Sequence, residues 1–218
     1  MVAFSLAGAM SASAALSVAF NNVSPVQAVN LQVTGISVPW GTGSIGVNAG
    51  IYNLTVDGVP TAGFCIDVSR YSGTYSDYFY APLASAPLAP AGPMNMKADA
   101  AGNIEKLWAA YYGAAVADSL GVEAAALQVA IWEQVALGGG YTVTVSGNDQ
   151  VTKEAGIMIG NLANLTDKAD LQALVSSSGQ NYVVPVPEPT TMIAGAGALG
   201  LALLGMGRAR RTSVVRIG

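Results

Sequence analysis

Cys65 stands in the run Phe64-Cys65-Ile66-Asp67, whose apolar pattern suits a strand. It is the sole cysteine of the chain, so no intramolecular disulfide can form. Three options remain for such a thiol: an intermolecular bridge, a buried inert side chain, or a reactive group. Gln128 stands in Leu127-Gln128-Val129-Ala130-Ile131-Trp132, within an Ala-rich stretch from Glu123 to Ala136 that lacks Gly and Pro and reads as a helix. Gln128, Ile131, Trp132 and Val135 fall at i, i+3, i+4 and i+7, and therefore share one helix face. A glutamine placed among large apolar groups must satisfy its amide somewhere. The chain has no histidine, which excludes Cys-His and Ser-His catalysis and any metal site built on imidazole.

Both motifs need elements that hold them. Val29–Val38 and Gly50–Val56 read as strands, and Asp57-Gly58 is a strong two-residue turn leading into the strand Phe64–Val68. Asp77–Ala81 suits a further strand, stopped by Pro82. A proline-bearing loop follows from Ala84 to Met96. Ile104, Leu107, Trp108, Tyr111 and Ala115 keep helical spacing, with Asn103 as a possible cap. Gly138-Gly139-Gly140 ends the Ala-rich helix. Tyr141–Val145 reads as a strand and Thr152–Leu165 as a helix. Asp167–Val175 reads as helix or coil, and Ser176–Gln180 as a Ser/Gly linker. Strands followed by helices predict an α+β domain.

Charge narrows the function classes. Between Val29 and Pro189 five basic residues face thirteen acidic ones, a net charge of −8. Such a body offers no cationic patch to phosphates, so nucleic acid is not an expected partner. The four other arginines all lie beyond a second apolar segment. No cofactor or metal is expected.

The two ends read as addresses. Residues 1–28 are apolar and small, and Val26-Gln27-Ala28 offers small residues to a signal peptidase, so a leader cleaved after Ala28 is expected. No Lys or Arg precedes Arg70, so the leader lacks a positive start. At the other end, prolines stiffen Val184-Pro185-Val186-Pro187-Glu188-Pro189. An apolar run from Met192 to Gly207 follows, and Thr190 and Thr191 extend it into a short membrane helix, 190–207. Arg208, Arg210 and Arg211 come next, marking a cytoplasmic end. This order resembles the PEP-CTERM sorting signal, over about the last thirty residues of the chain. The motif positions are Pro187, Glu188 and Pro189 with Arg208, Arg210 and Arg211. The tail Thr212–Gly218 runs past the usual stop at the arginines. The resemblance implies processing by an exosortase, transient anchoring in the inner membrane, and delivery to the cell surface or exopolysaccharide matrix of a Gram-negative bacterium. Three segments result: a signal peptide (1–28), an extracytoplasmic body (29–184) and the sorting segment (185–218).

The body has its own resemblance. An aromatic-Cys-Ile-Asp strand followed by a Gln-x-Ala-Ile-Trp helix, in that order, resembles the thioester domains of bacterial surface adhesins, from about Gly50 to Trp132. By this match Cys65 is the thiol partner and Gln128 the acyl partner of an internal thioester, with Asp67, Ala130 and Trp132 as supporting positions. Leu127 stands where the adhesins usually carry threonine. The resemblance implies that the sulfur attacks the glutamine carbonyl and releases ammonia. A partner amine or hydroxyl then takes the acyl group. This is single-turnover tethering and not enzyme catalysis. Two functions are therefore expected in competition: covalent adhesion through Cys65–Gln128, or a non-covalent structural matrix protein with the same fold. A cysteine transpeptidase ranks last, because only Asp67 or a distant lysine could act as its base.

Overall fold

Asp57 and Gly58 both adopt left-handed backbone, with φ of 47° and 84°. That geometry matches the twist of two adjacent strands, and it joins β2 (Ser44–Val56) to β3 (Val59–Cys65) as a tight hairpin in the register Val56↔Val59 to Tyr52↔Gly63. The computed structural model describes residues 15–87 and 95–187. The other strands are β1 (Leu16–Thr34), β4 (Tyr75–Ala81), β5 (Thr142–Ser146), β6 (Leu171–Val175) and β7 (Tyr182–Pro185). The helices are α1 (Lys97–Ala117), α2 (Val122–Gly139) and α3 (Asp149–Gly160). The chain is thus α+β.

Strand order is β2-β3-β7-β6-β4-β1-β5, and β1 pairs with β2 as well. Six strands therefore form a closed antiparallel ring, with β5 added along the far half of β1. The 19 residues of β1 make this possible: its start meets β4, its end meets β5, and its other edge runs along β2. A register shift between Val23 and Val26 bends the strand.

Cleavage after Ala28 would fall inside this strand, where Val18 is fully buried and Phe20 to Ala28 pair with β2. Val26 is also gripped from the helical side. Gly121, at φ +78°, caps α2, and a Cβ there would come within 2.6 Å of the Val26 backbone. The unit that holds these elements ends at Pro185.

Other expectations shift for local reasons. α1 starts at Lys97, so Asn103 is interior to it, and its amide donates to Gln134 Oε1 at 2.8 Å, tying α1 to α2. α2 passes through Gly138 and Gly139 and is capped by left-handed Gly140. Gly138 belongs in the helix because a side chain there would strike the Met96 carbonyl. α3 begins at Asp149, with the Asn148 side chain capping Val151 N at 3.2 Å. The segment read as helix or coil holds β6, which sits between β4 and β7 with Ala173, Leu174 and Val175 fully buried. Ser176–Gln180 is no linker: Ser176 is buried and its hydroxyl donates to Asp77 at 2.7 Å.

α2 lies at the centre. It packs on α1, α3 and strands β1, β2, β3 and β5, and every residue from Ala124 to Trp132 is buried. The single face expected from the spacing of Gln128, Ile131, Trp132 and Val135 is therefore replaced by enclosure on all sides along this stretch. Among the described residues no helix is long and apolar enough to cross a membrane. The proposed membrane helix 190–207, with Glu188, Pro189 and the arginines, lies outside the described residues.

Removing Leu16 to Ala28 strips β1 of its pairing with β4 and most of its pairing with β2. That loss is of the order of the whole stability of a domain, about 5–15 kcal/mol. A chain starting at Val29 is expected to lack a cooperative thermal transition by circular dichroism, whereas one starting at Ala15 melts cooperatively. Equal melting curves would show that the first half of β1 is dispensable.

Candidate functional site

Cys65 is the last residue of β3. Its neighbour in the next strand is Tyr182 of β7, and one residue later Ile66 N donates to Asn181 O at 3.0 Å. At this point the Cys65 backbone turns toward α2. Cys65 N donates to Gln128 Oε1 at 2.9 Å, and Gln128 Nε2 donates to Cys65 O at 2.9 Å. The glutamine side chain thus pairs with one residue's N–H and C=O as a strand partner would. Both residues are fully buried. The two hydrogen bonds fix the amide orientation, since a flip would set two donors and two acceptors against each other.

The sulfur lies in the same enclosure. Cys65 Sγ donates to Asp67 O at 3.4 Å. Burial pushes the thiol up to about 12, against weaker downward pulls from the Trp132 indole and the Asp67 backbone. Trp132 is buried beside the site and its indole N–H has no oxygen or nitrogen acceptor; the polar group it acts on is the sulfur. At neutral pH Cys65 is therefore a neutral thiol, shielded and slow to ionise.

Asp67 acts on the backbone around the cysteine. Its carboxylate accepts from Ser69 N at 2.9 Å and Ser69 Oγ at 2.6 Å, and meets Arg70 at 3.4 Å. Burial raises its pKa, and the Ser69 hydrogen bonds and Arg70 oppose that. Arg70 also donates to Ser176 O at 2.6 Å. Gln180 Nε2 donates to Asp67 O and Arg70 O, each at 3.1 Å. This network locks the segment after Cys65 to the loop before β7. Ala130 is fully buried on α2, two residues from Gln128 and so on a different side of the helix. Leu127 is also fully buried.

A cavity of about 260 Å³ reaches Cys65 from the surface. Trp132 and Tyr52 line it near the sulfur, and Trp40, Arg70, Tyr71 and Gln180 line it elsewhere. Trp40 and Tyr71 pair at 6.5 Å between ring centroids, and Tyr71 is 58% exposed. Helical spacing pointed to Gln128 and Trp132, the single cysteine to Cys65, and the resemblance to Asp67, and the fold gathers all four at one place. None of these clues brought out Trp40, Tyr52, Tyr71 or Gln180. A tryptophan in a turn-rich break, between Pro39 and Gly41, was the available clue, since large aromatics in loops are uncommon without a packing or binding role. Compared with protein-family models, curated proteins and solved structures, the chain matches none.

The buried thiol makes stability depend on pH. An unfolded cysteine ionises near its ordinary value of 9.0, the folded one near 12. Burial of the neutral thiol is fully stabilising below pH 9, and its benefit fades as pH rises from 9 toward 12. In protein holding a free thiol, urea unfolding should show a steeper stability loss over that window than in Cys65→Ala. Tyr52, Tyr141 and Tyr182 are held up in part by Cys65, so the difference between the two profiles reads the thiol together with its coupling to these tyrosines. Parallel profiles would mean that Cys65 does not titrate as a buried thiol.

Proposed function

We propose that this chain is an exported surface or matrix protein that tethers itself covalently through a thioester between Cys65 and Gln128. The observation that carries the reading is the double hydrogen bond between the Gln128 amide and the Cys65 backbone. The bond from Cys65 N–H draws charge from the Gln128 carbonyl and would hold the oxygen as it becomes an oxyanion. The sulfur belongs to the residue already docked on that amide, so attack is intramolecular and enclosed. In the step itself the Sγ–Cδ bond forms, the Cδ–Nε2 bond breaks, and the thiol proton leaves with nitrogen as ammonia. Asp67 and Trp132 serve as positioning residues, the first by fixing the turn after Cys65, the second by walling the sulfur from water. The resemblance to adhesin thioester domains supports the same assignment.

A second reading has its own observation. A buried glutamine that satisfies two backbone groups is already a sufficient structural clamp. On that reading the chain is a non-covalent matrix protein of the same fold, and Cys65 is inert.

The address segments complete the proposal. Pro187-Glu188-Pro189, the apolar run and Arg208, Arg210 and Arg211 support sorting by an exosortase, with the body outside the cytoplasm. Since β1 begins at Leu16, a signal peptidase is better served by Ala12-Ser13-Ala14 than by the site after Ala28.

Intact mass decides between the two readings. With the bond formed, purified protein should be lighter by one ammonia and show no titratable thiol until denatured. Methylamine should release one thiol and add one methylamide at Gln128, and Cys65→Ala should abolish both effects. Unmodified mass with a titratable thiol would leave the clamp reading. Maturation has a separate test: protein recovered from native cells should begin near Ala15 and lack Met192–Gly218. A full-length chain facing the cytoplasm would remove the sorting proposal.

A further inference from the structure

We infer that the group which takes the acyl chain from Gln128 is a carbohydrate hydroxyl, received in the cavity between Trp40, Tyr71 and Cys65. This rests on the proposed thioester and names its acceptor. The argument comes from the polar atoms left over along the cavity wall. Gln180 is 93% buried, and its Nε2 is committed to two backbone carbonyls, which fixes the amide and leaves Oε1 buried without a partner. Trp40 Nε1 is buried without an acceptor. Both residues line the cavity that reaches Cys65. The site thus offers one unmet acceptor and one unmet donor. Buried polar groups of this kind are completed by water or by a ligand.

A hydroxyl can donate to Gln180 Oε1 and also accept from an indole N–H. The amine that attacks is the neutral form, and its single lone pair forms the new bond, so none remains to accept from the Trp40 indole, whereas a hydroxyl oxygen keeps a second lone pair. Charge points the same way. Among the described residues Arg70 is the only charged one lining the cavity, and Asp67 pairs with it at 3.4 Å, so the wall holds no free negative charge for an ammonium. No carboxylate lines the cavity to receive an ammonium. The acidic body attracts cations from a distance, but this does not supply an acceptor inside. Trp40 and Tyr71 add aromatic faces at the mouth, the kind of flat apolar surface on which the C–H face of a sugar ring packs.

The transfer balances without a further reagent. The sugar oxygen attacks Gln128 Cδ while the Cys65 N–H holds the carbonyl oxygen. The Cδ–Sγ bond then breaks and sulfur leaves with the electron pair. Burial makes that thiolate strongly basic, so it takes the hydroxyl proton. The products are a glutamyl ester on the sugar and the Cys65 thiol.

The test uses the full chain, with its mass measured first. A chain lighter by one ammonia is then incubated at neutral pH with methyl glucoside or with methylamine at equal concentration, and adducts are followed by mass. The expected result is an ester at Gln128, with release of one thiol, at least roughly tenfold faster than the methylamide. Trp40→Phe keeps an aromatic ring but removes the N–H, and should slow the sugar reaction while sparing the methylamine reaction. Amine adducts alone, or equal slowing of both by Trp40→Phe, would overturn the hydroxyl assignment and leave the thioester standing. A starting mass without the deficit would overturn the thioester reading, and this inference with it.

Discussion

The pairing of one glutamine side chain with one cysteine backbone joins the two halves of this fold. β3 ends at Cys65, where its ladder with β7 has only two residue pairs. On its other edge the Cys65 N–H and C=O would be buried without partners, at a cost of about 1–3 kcal/mol each. Gln128 supplies both partners from α2. The helix that delivers it is therefore held at a fixed height and rotation against the strand. A glutamine shifted by one position would point about 100° away, so the clamp sets the register of α2 against the ring.

Enclosure of α2 follows from the same constraint. To reach the end of β3 from inside, the helix must run through the middle of the molecule, with α1, α3 and four strands around it. Its composition fits that place. Alanines at 124, 125, 126 and 130 let neighbours approach closely, and Gly138 admits the Met96 carbonyl. The same close packing leaves Cys65 fully buried. A thiol in such surroundings stays protonated, and a carbonyl beside it is polarised by a fixed N–H and not by mobile water.

The sequence made some of this legible and hid the rest for physical reasons. The hairpin at Asp57-Gly58 was readable because two consecutive left-handed residues are demanded by its turn, and few dipeptides supply them. The Ala-rich helix was readable from propensity, and Gln128 from the oddity of an amide among large apolar side chains. What spacing could not reveal was enclosure: the i, i+3, i+4 pattern implies a single buried face, but α2 has no exposed face along its centre. The first half of β1 is ambiguous in the sequence, because small apolar residues serve a leader and a buried strand equally well, and its pairing with β2 and β4 is not legible from residue types. β6 and the Ser176–Asn181 loop were missed for a related reason. Leu171–Val175 is short and fully paired within the sheet, and its periodicity is weak. The loop's polar residues look solvated until Asp67, Arg70 and Asp77 are seen to bind them.

Leu127, next to Gln128 on α2, bears on what the proposed chemistry can draw upon. A threonine at this point of a fully enclosed helix would need a partner for its hydroxyl, and would fill less volume than leucine. In this chain the position is committed to the core. Polarisation of the Gln128 carbonyl in the proposed reaction therefore has to come from elsewhere, and the Cys65 N–H is aimed at that oxygen from 2.9 Å. The donor belongs to the same residue as the nucleophile. Any motion that withdraws the sulfur also withdraws the donor, so attack and oxyanion support rise and fall together. The Asp67–Ser69–Arg70 network holds that residue still by tying the turn after Cys65 to the loop before β7. Positioning is thus achieved through backbone fixed in a sheet and its adjoining turn, where small shifts are expensive, and it does not depend on a hydroxyl at position 127.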